Sequence, residues 1–186
     1  MGLTESTMHS LGSAAPDFAL PEVISENIIR LDDFRGTVDA LVVMFICAHC
    51  PYVKHIEQGI ADFGRDYEDK PVGIVAINSN DVEKHPEDSP ENLRKQSERL
   101  GFTFDYLYDE TQEVAKAYEA ACTPDIYLFD AEMRLVYRGQ FDASRPGSEI
   151  PVTGQDLRTA LDAVLAGQPV SPDQKPSIGC NIKWKA

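Results

Sequence analysis

Residues 39–67 read DALVVMFICAHCPYVKHIEQGIADFGRDY, and this stretch decides the fold. After Asp39 the run through Ile46 is continuously apolar, with β-branched side chains in it, the pattern of a strand buried on both faces of a sheet. From Val53 the apolar positions step by three and four through Ile56, Ile60, Phe63 and Tyr67, while Lys54, Glu57, Gln58, Asp62 and Arg65 fall opposite. That spacing predicts an amphipathic helix, with Pro51 at its start, where a missing N–H costs nothing. Between the two elements lies Cys47-Ala48-His49-Cys50, two thiols three residues apart at a helix N-terminus. The positive end of the helix dipole and its unpaired N–H groups favour a thiolate there, which makes a nucleophile. The pair is expected to open and close by thiol–disulfide exchange, with Cys47 as the exposed attacker and Cys50 as the shielded resolving thiol. His49, as an imidazolium or dipole donor, is expected to stabilise the Cys47 thiolate.

Working outward, residues 18–20 and 28–31 flank a turn at Ser25-Glu26-Asn27 and predict an N-terminal hairpin. A second buried strand is expected over 72–77, followed by a polar acidic loop from Asp81 to Asp88. This loop follows a central strand and is read either as bordering the thiol pair, since sites in such sheets gather beyond the strands' carboxyl ends, or as a solvated charged loop. Ser89-Pro90 predicts a capped helix closed by Gly101, then a short strand over 104–108 and a helix over 110–120. Strands over 125–129 and 134–138 form an antiparallel pair, and Thr153 with Asp156 predicts a capping pair for a last helix stopped at Gly167. The order implies an α/β domain over 1–167, a mixed sheet with helices on both faces. Residues 168–186 carry Pro169, Pro172 and Pro176 and are expected to dock on that domain through Ile178, Ile182 and Trp184.

The chain has 186 residues, with 17 basic against 31 acidic side chains and a formal net charge of −14. Such a surface repels nucleic-acid phosphates and anionic lipid, so neither nucleic acid nor a membrane is an expected partner. The start lacks the basic and apolar regions of a secretory leader, and no apolar run reaches the ~18 residues of a membrane span. A cytoplasmic location is the expectation. Four cysteines are too few for a disulfide scaffold and point to chemistry, metal or core filling. One Cys-x-x-Cys supplies only half of a structural zinc set, and His49 and His55 lie roughly 240° apart around a helix. Neither a metal nor a cofactor is expected. Cys122 is read as a small buried side chain or a third redox thiol, and Cys180 as a docked thiol or one that swings to Cys47. Nothing in the sequence sets the oligomeric state.

The stretches Ala15-Pro16-Asp17-Phe18-Ala19-Leu20 and Leu31-Asp32-Asp33-Phe34-Arg35-Gly36, the Cys47–Cys50 motif and Thr123-Pro124 together resemble the thioredoxin superfamily. The resemblance is closer to its alkyl hydroperoxide reductase/thiol-specific antioxidant, peroxiredoxin-like branch. It implies a thioredoxin-like fold and a cis Thr123–Pro124 bond facing the thiols, with the Thr123 backbone open to pair with an extended substrate. It also implies catalytic roles for Cys47, His49, Cys50, Thr123 and Pro124. Counting back from Cys50, Cys47 stands where peroxiredoxins carry a hydroxyl residue and Val43 where they carry proline. Leu41 takes the place of the buried acid of thioredoxins, and Ile46 that of their tryptophan. The expected function is thiol–disulfide oxidoreductase acting on protein or small-molecule disulfides and thiols. The alternative is a thiol-dependent peroxidase with an antioxidant role, for which peroxide is the substrate.

Overall fold

The computed structural model describes residues 2–186. Its centre is a five-stranded sheet in the order β6-β5-β4-β8-β9. β4 (Ala40–Phe45) is the middle strand. It runs parallel to β5 (Val72–Asn78), which runs parallel to β6 (Asp105–Tyr108). On its other side lies antiparallel β8 (Asp125–Asp130), paired in turn with β9 (Leu135–Gly139). Every residue of β4 is buried, as its unbroken apolar text requires.

Side chains alternate along β4. Val42 and Met44 face a core built with Val53, Ile56, Ile60 and Phe63 of α1 (Pro51–Asp66) and Leu157 and Leu161 of α4 (Gln155–Leu165). Leu93 of α2 (Pro90–Leu100) joins the same face. Leu41, Val43 and Phe45 point the other way, against Val114 and Ala115 of α3 (Glu113–Ala117), Tyr118, Tyr127 and Phe129. Helices thus cover both faces. The N-terminal hairpin is present as β2 (Ala19–Pro21) against β3 (Ile28–Arg30). Among the described residues no helix is long and apolar enough to cross a membrane.

Three local expectations change. The helix expected over 110–120 shrinks to five residues, because Gln112 and Glu119 adopt left-handed backbone at either end. Asp109 takes up its first N–H groups, accepting from Val114 and Ala115 at 3.4 and 2.9 Å. α4 starts without the expected Thr153–Asp156 pair: Gly154 is the residue before its first turn, and Asp156 instead accepts from Gln140 at 2.7 Å.

The third change lies in the residues after Pro176. They form β10 (Ile178–Asn181), sandwiched between β1 (Leu3–Glu5) and the two-residue β7 (Cys122–Thr123). Ile182 is buried, but Trp184 is 40% exposed and lies beside Lys116 rather than acting as an anchor. Backbone bonds hold this segment instead. Lys183 donates its N–H to the Asn80 side chain at 2.9 Å, and its carbonyl accepts from Asp81 and from Gln112, each at 2.8 Å.

Candidate active site

β4 delivers the chain into Cys47-Ala48-His49-Cys50 at the end of the sheet where β5 also finishes, and Ile46 still donates to Ile77 at 3.0 Å. Cys50 has extended backbone and precedes α1, with its carbonyl accepting from Val53 and Lys54 at 3.1 and 2.9 Å. The Cys50 N–H points at the Cys47 sulfur, 3.4 Å away. Thr123–Pro124 is a cis peptide. It faces the pair: Thr123 Oγ1 lies 3.5 Å from Cys47 Sγ, and the Thr123 carbonyl oxygen lies 3.4 Å from Cys50 Sγ.

Two expectations are corrected here. Cys47 is not the exposed thiol, since it and Cys50 are both fully buried at 0% exposure. The Thr123 backbone is not open to an incoming peptide either. It pairs with β10 in the register Cys180↔Thr123 and Asn181↔Cys122. That register brings the Cys180 and Cys50 sulfurs to 2.8 Å, so Cys180 meets Cys50 and not Cys47. None of the four cysteines is bridged by a disulfide.

Ionisation divides the three sulfurs. Cys50 is lowered to about 4 because the Cys47 thiol donates to it, with further donation from Cys180 and from the Val53 N–H, all against burial. Cys47 is pushed well up by burial, then by its bond to Cys50 and by the nearby Asp88 charge. Burial pushes Cys180 up to about 12, with Lys183 opposing. The thiolate of this cluster therefore sits on the central sulfur, Cys50.

Asp88 organises the loop. One carboxylate oxygen accepts from the Ala48 and His49 N–H groups at 2.8 and 3.1 Å. The other holds His49 Nδ1 and accepts from the Asn80 side chain at 2.9 Å. The bond to Asp88 raises the His49 pKa, and the Cys50 charge adds to the rise. His49 thus acts on Asp88 and feels Cys50, and its expected partnership with the Cys47 thiolate is not formed. The His85 ring stacks on it with centroids 5.5 Å apart. The loop over 81–88 does border the site, and Asp81 and Asp88 in it are buried.

Behind the pair runs a second polar network that the sequence reading missed. Gln96 donates to the Cys47 carbonyl at 3.1 Å and to Glu57 at 3.0 Å, and accepts from the Tyr106 hydroxyl at 2.9 Å. Arg99 closes it on Glu57 at 3.0 Å. Glu57 lies on the helix flank that periodicity marks as solvent, so only a partner on α2 explains its burial. Cys122 is buried, and its thiol donates to the Pro124 carbonyl at 3.5 Å instead of joining the sulfur cluster. One ligand atom each from Cys47, His49 and Asp88 lie within 4.8 Å of one another. Both Asp88 oxygens are already engaged by four donors, which makes this triad an orienting device rather than a cation cage.

A profile of the AhpC/TSA family matches residues 11–138. Thiol-disulfide oxidoreductase ResA of Geobacillus kaustophilus is 30% identical over 127 residues, spanning 68% of this chain and 67% of that one. A conserved protein from the same organism, known from a crystal structure, is 59% identical with a TM-score of 0.96, covering 100% of this chain and 97% of its own. A thiol:disulfide interchange protein from Chlorobium tepidum shares the fold at 15% identity and a TM-score of 0.64, covering 84% of this chain and 98% of that one. Sheet order, cis-proline and sequence agree on one placement: the chain belongs to the AhpC/TSA family, within the thioredoxin superfamily, and is an oxidoreductase.

Proposed function

We propose that the protein is a thiol–disulfide oxidoreductase working through Cys47 and Cys50, with protein or small-molecule disulfides and thiols as its substrates and a cytoplasmic setting. The observation that carries this reading is the acidified Cys50 sulfur, held between a neighbouring thiol and a helix start. The Cys50 thiolate attacks a substrate disulfide, forming a mixed disulfide and releasing the first substrate thiolate. The Cys47 thiol then gives up its proton and attacks Cys50 Sγ. The Cys47–Cys50 bond forms, the second substrate thiolate leaves, and two electrons have passed from the pair to the substrate. This order reverses the roles expected from the sequence, and its support is the donation from Cys47 to the Cys50 sulfur together with the Asp88 charge beside Cys47.

A second reading, thiol-dependent peroxidase, is favoured by one observation: the acidified sulfur stands where peroxiredoxins carry their peroxide-attacking thiol. In that case Cys50 attacks the peroxide to become a sulfenic acid, which a neighbouring thiol condenses with the loss of water. One assay series separates the assignments. Cys47→Ser is expected to trap a mixed disulfide with a model disulfide substrate, and Cys50→Ser to abolish exchange. Trapping by Cys50→Ser instead restores Cys47 as the attacker. Peroxide turnover with a thiol donor, without disulfide exchange, overturns the oxidoreductase reading in favour of the peroxidase.

A further inference from the structure

The strand edge beside a cis-proline is where an extended peptide can add to a sheet of this kind. Here that edge is filled from within. β10 lies antiparallel to β7 with Cys180 directly opposite Thr123, and Cys180 Sγ rests 2.8 Å from Cys50 Sγ. A disulfide bond is about 2.03–2.05 Å long, so the two sulfurs need to close by roughly 0.8 Å to be bonded.

The placement is held from several sides. Gly179 passes so close to β7 that a Cβ there would fall 1.9 Å from the Thr123 carbonyl oxygen, a position no side chain tolerates. Ser177 donates its hydroxyl to the Pro124 carbonyl, and its N–H reaches Ser6 Oγ at 2.8 Å. β1 pairs with the far edge of β10 through Leu3↔Cys180. Cys180 is thus positioned by backbone on both sides, as a substrate thiol would be, and it is 4% exposed where Cys50 is wholly covered.

Resting on the exchange chemistry proposed above, we propose that Cys180 is a third redox thiol, which takes Cys50 from the Cys47–Cys50 disulfide by internal exchange. The Cys180 thiol releases its proton to solvent and attacks Cys50 Sγ. The Cys50–Cys180 bond forms as the Cys47–Cys50 bond breaks, and Cys47 leaves as a thiolate that takes up a proton. No electrons enter or leave. The exchange moves the oxidised bond off Cys47 and onto Cys180, the least buried of the three, where an external thiol can reach it once β10 lifts.

The test is peptide mapping of the full-length chain, oxidised with diamide and then alkylated. Trypsin places Cys47 and Cys50 together on residues 36–54, Cys180 on 159–183 and Cys122 on 117–134. The expected result is a cross-link between 36–54 and 159–183 in the natural chain, retained in Cys47→Ser and lost in Cys50→Ser. Gly179→Ala, which pushes β10 off β7, is expected to lose the cross-link and keep the internal 36–54 loop. Oxidised protein carrying only the internal loop, with no cross-link in Cys47→Ser, overturns the role of Cys180 and leaves the Cys47–Cys50 chemistry standing. No disulfide at all in the natural chain overturns both.

Discussion

Replacing Asp125 by Asn should change how stability depends on pH, by an amount the structure sets. Asp125 follows Pro124 at the start of β8 and is fully buried. One carboxylate oxygen accepts from Ala121 at 3.1 Å and from the Tyr127 hydroxyl at 3.5 Å. The other has no hydrogen-bond partner. Burial accordingly raises its pKa to about 6, against partial offsets from the Ala121 N–H, the Ser6 hydroxyl, the Cys122 N–H and the Tyr127 hydroxyl. The folded state then holds this proton more tightly than the unfolded chain, whose carboxyl titrates near ~3.9. The resulting stability is complete below about pH 4 and is lost as pH rises through about 6. A difference of about 2 units is worth roughly 3 kcal/mol at ~1.4 kcal/mol per unit, and full burial leaves no solvent discount. Asn carries no titrating proton, so Asp125→Asn should gain about 3 kcal/mol relative to the natural protein between pH 4 and pH 7. Groups common to both proteins cancel in this difference. Urea unfolding at a series of pH values measures it, and a slope near 2 kcal/mol per M puts the relative midpoint shift at roughly 1.5 M. A difference that stays constant from pH 4 to pH 7 would refute the buried-proton account.

Two further outcomes follow from the polar networks at the site. Asp88→Asn removes the bond that raises His49, so the His49 titration followed by NMR should fall back towards about 6.5; an unchanged titration means another group sets it. Gln96→Leu leaves Glu57 and the Tyr106 hydroxyl without their central partner, a loss of about 1–3 kcal/mol per buried polar group. Chemical denaturation reads that loss, and Gln96→Glu should not rescue it, because a second carboxylate beside Glu57 adds repulsion.

The fold was legible where burial and periodicity say the same thing. Residues 40–45 have no polar position to mislead, and residues 51–66 keep their apolar face in step with a helix. Ser89 and Gly101 bound α2 by their own chemistry, the serine accepting from Asn92 and the glycine in left-handed backbone. The thiol pair was legible from its place between β4 and α1, and the proline that faces it only through the family resemblance. What stayed hidden depends on contacts between distant residues. No local pattern says that IGCN at 178–181 is a strand, because its partners lie at 3–5 and 122–123. Cys47 has the exposed position in a sequence diagram, and it is the donation from Cys47 to Cys50, the burial of Cys47 and the Asp88 charge that shift the charge to Cys50. Asp88 itself looked like one more solvated acid in a charged loop.

β10 also shapes the order in which the molecule comes together. Its pairing with β1 joins residues 177 positions apart, and closing so long a loop in a disordered chain costs about 5 kcal/mol in entropy beyond a constant. Three residue pairs could not repay that alone, so this small sheet forms once the five central strands have brought its pieces near. Its own contribution is correspondingly local. The segment that shields the sulfurs is a late addition to a finished scaffold, able to detach and return while the scaffold keeps its shape.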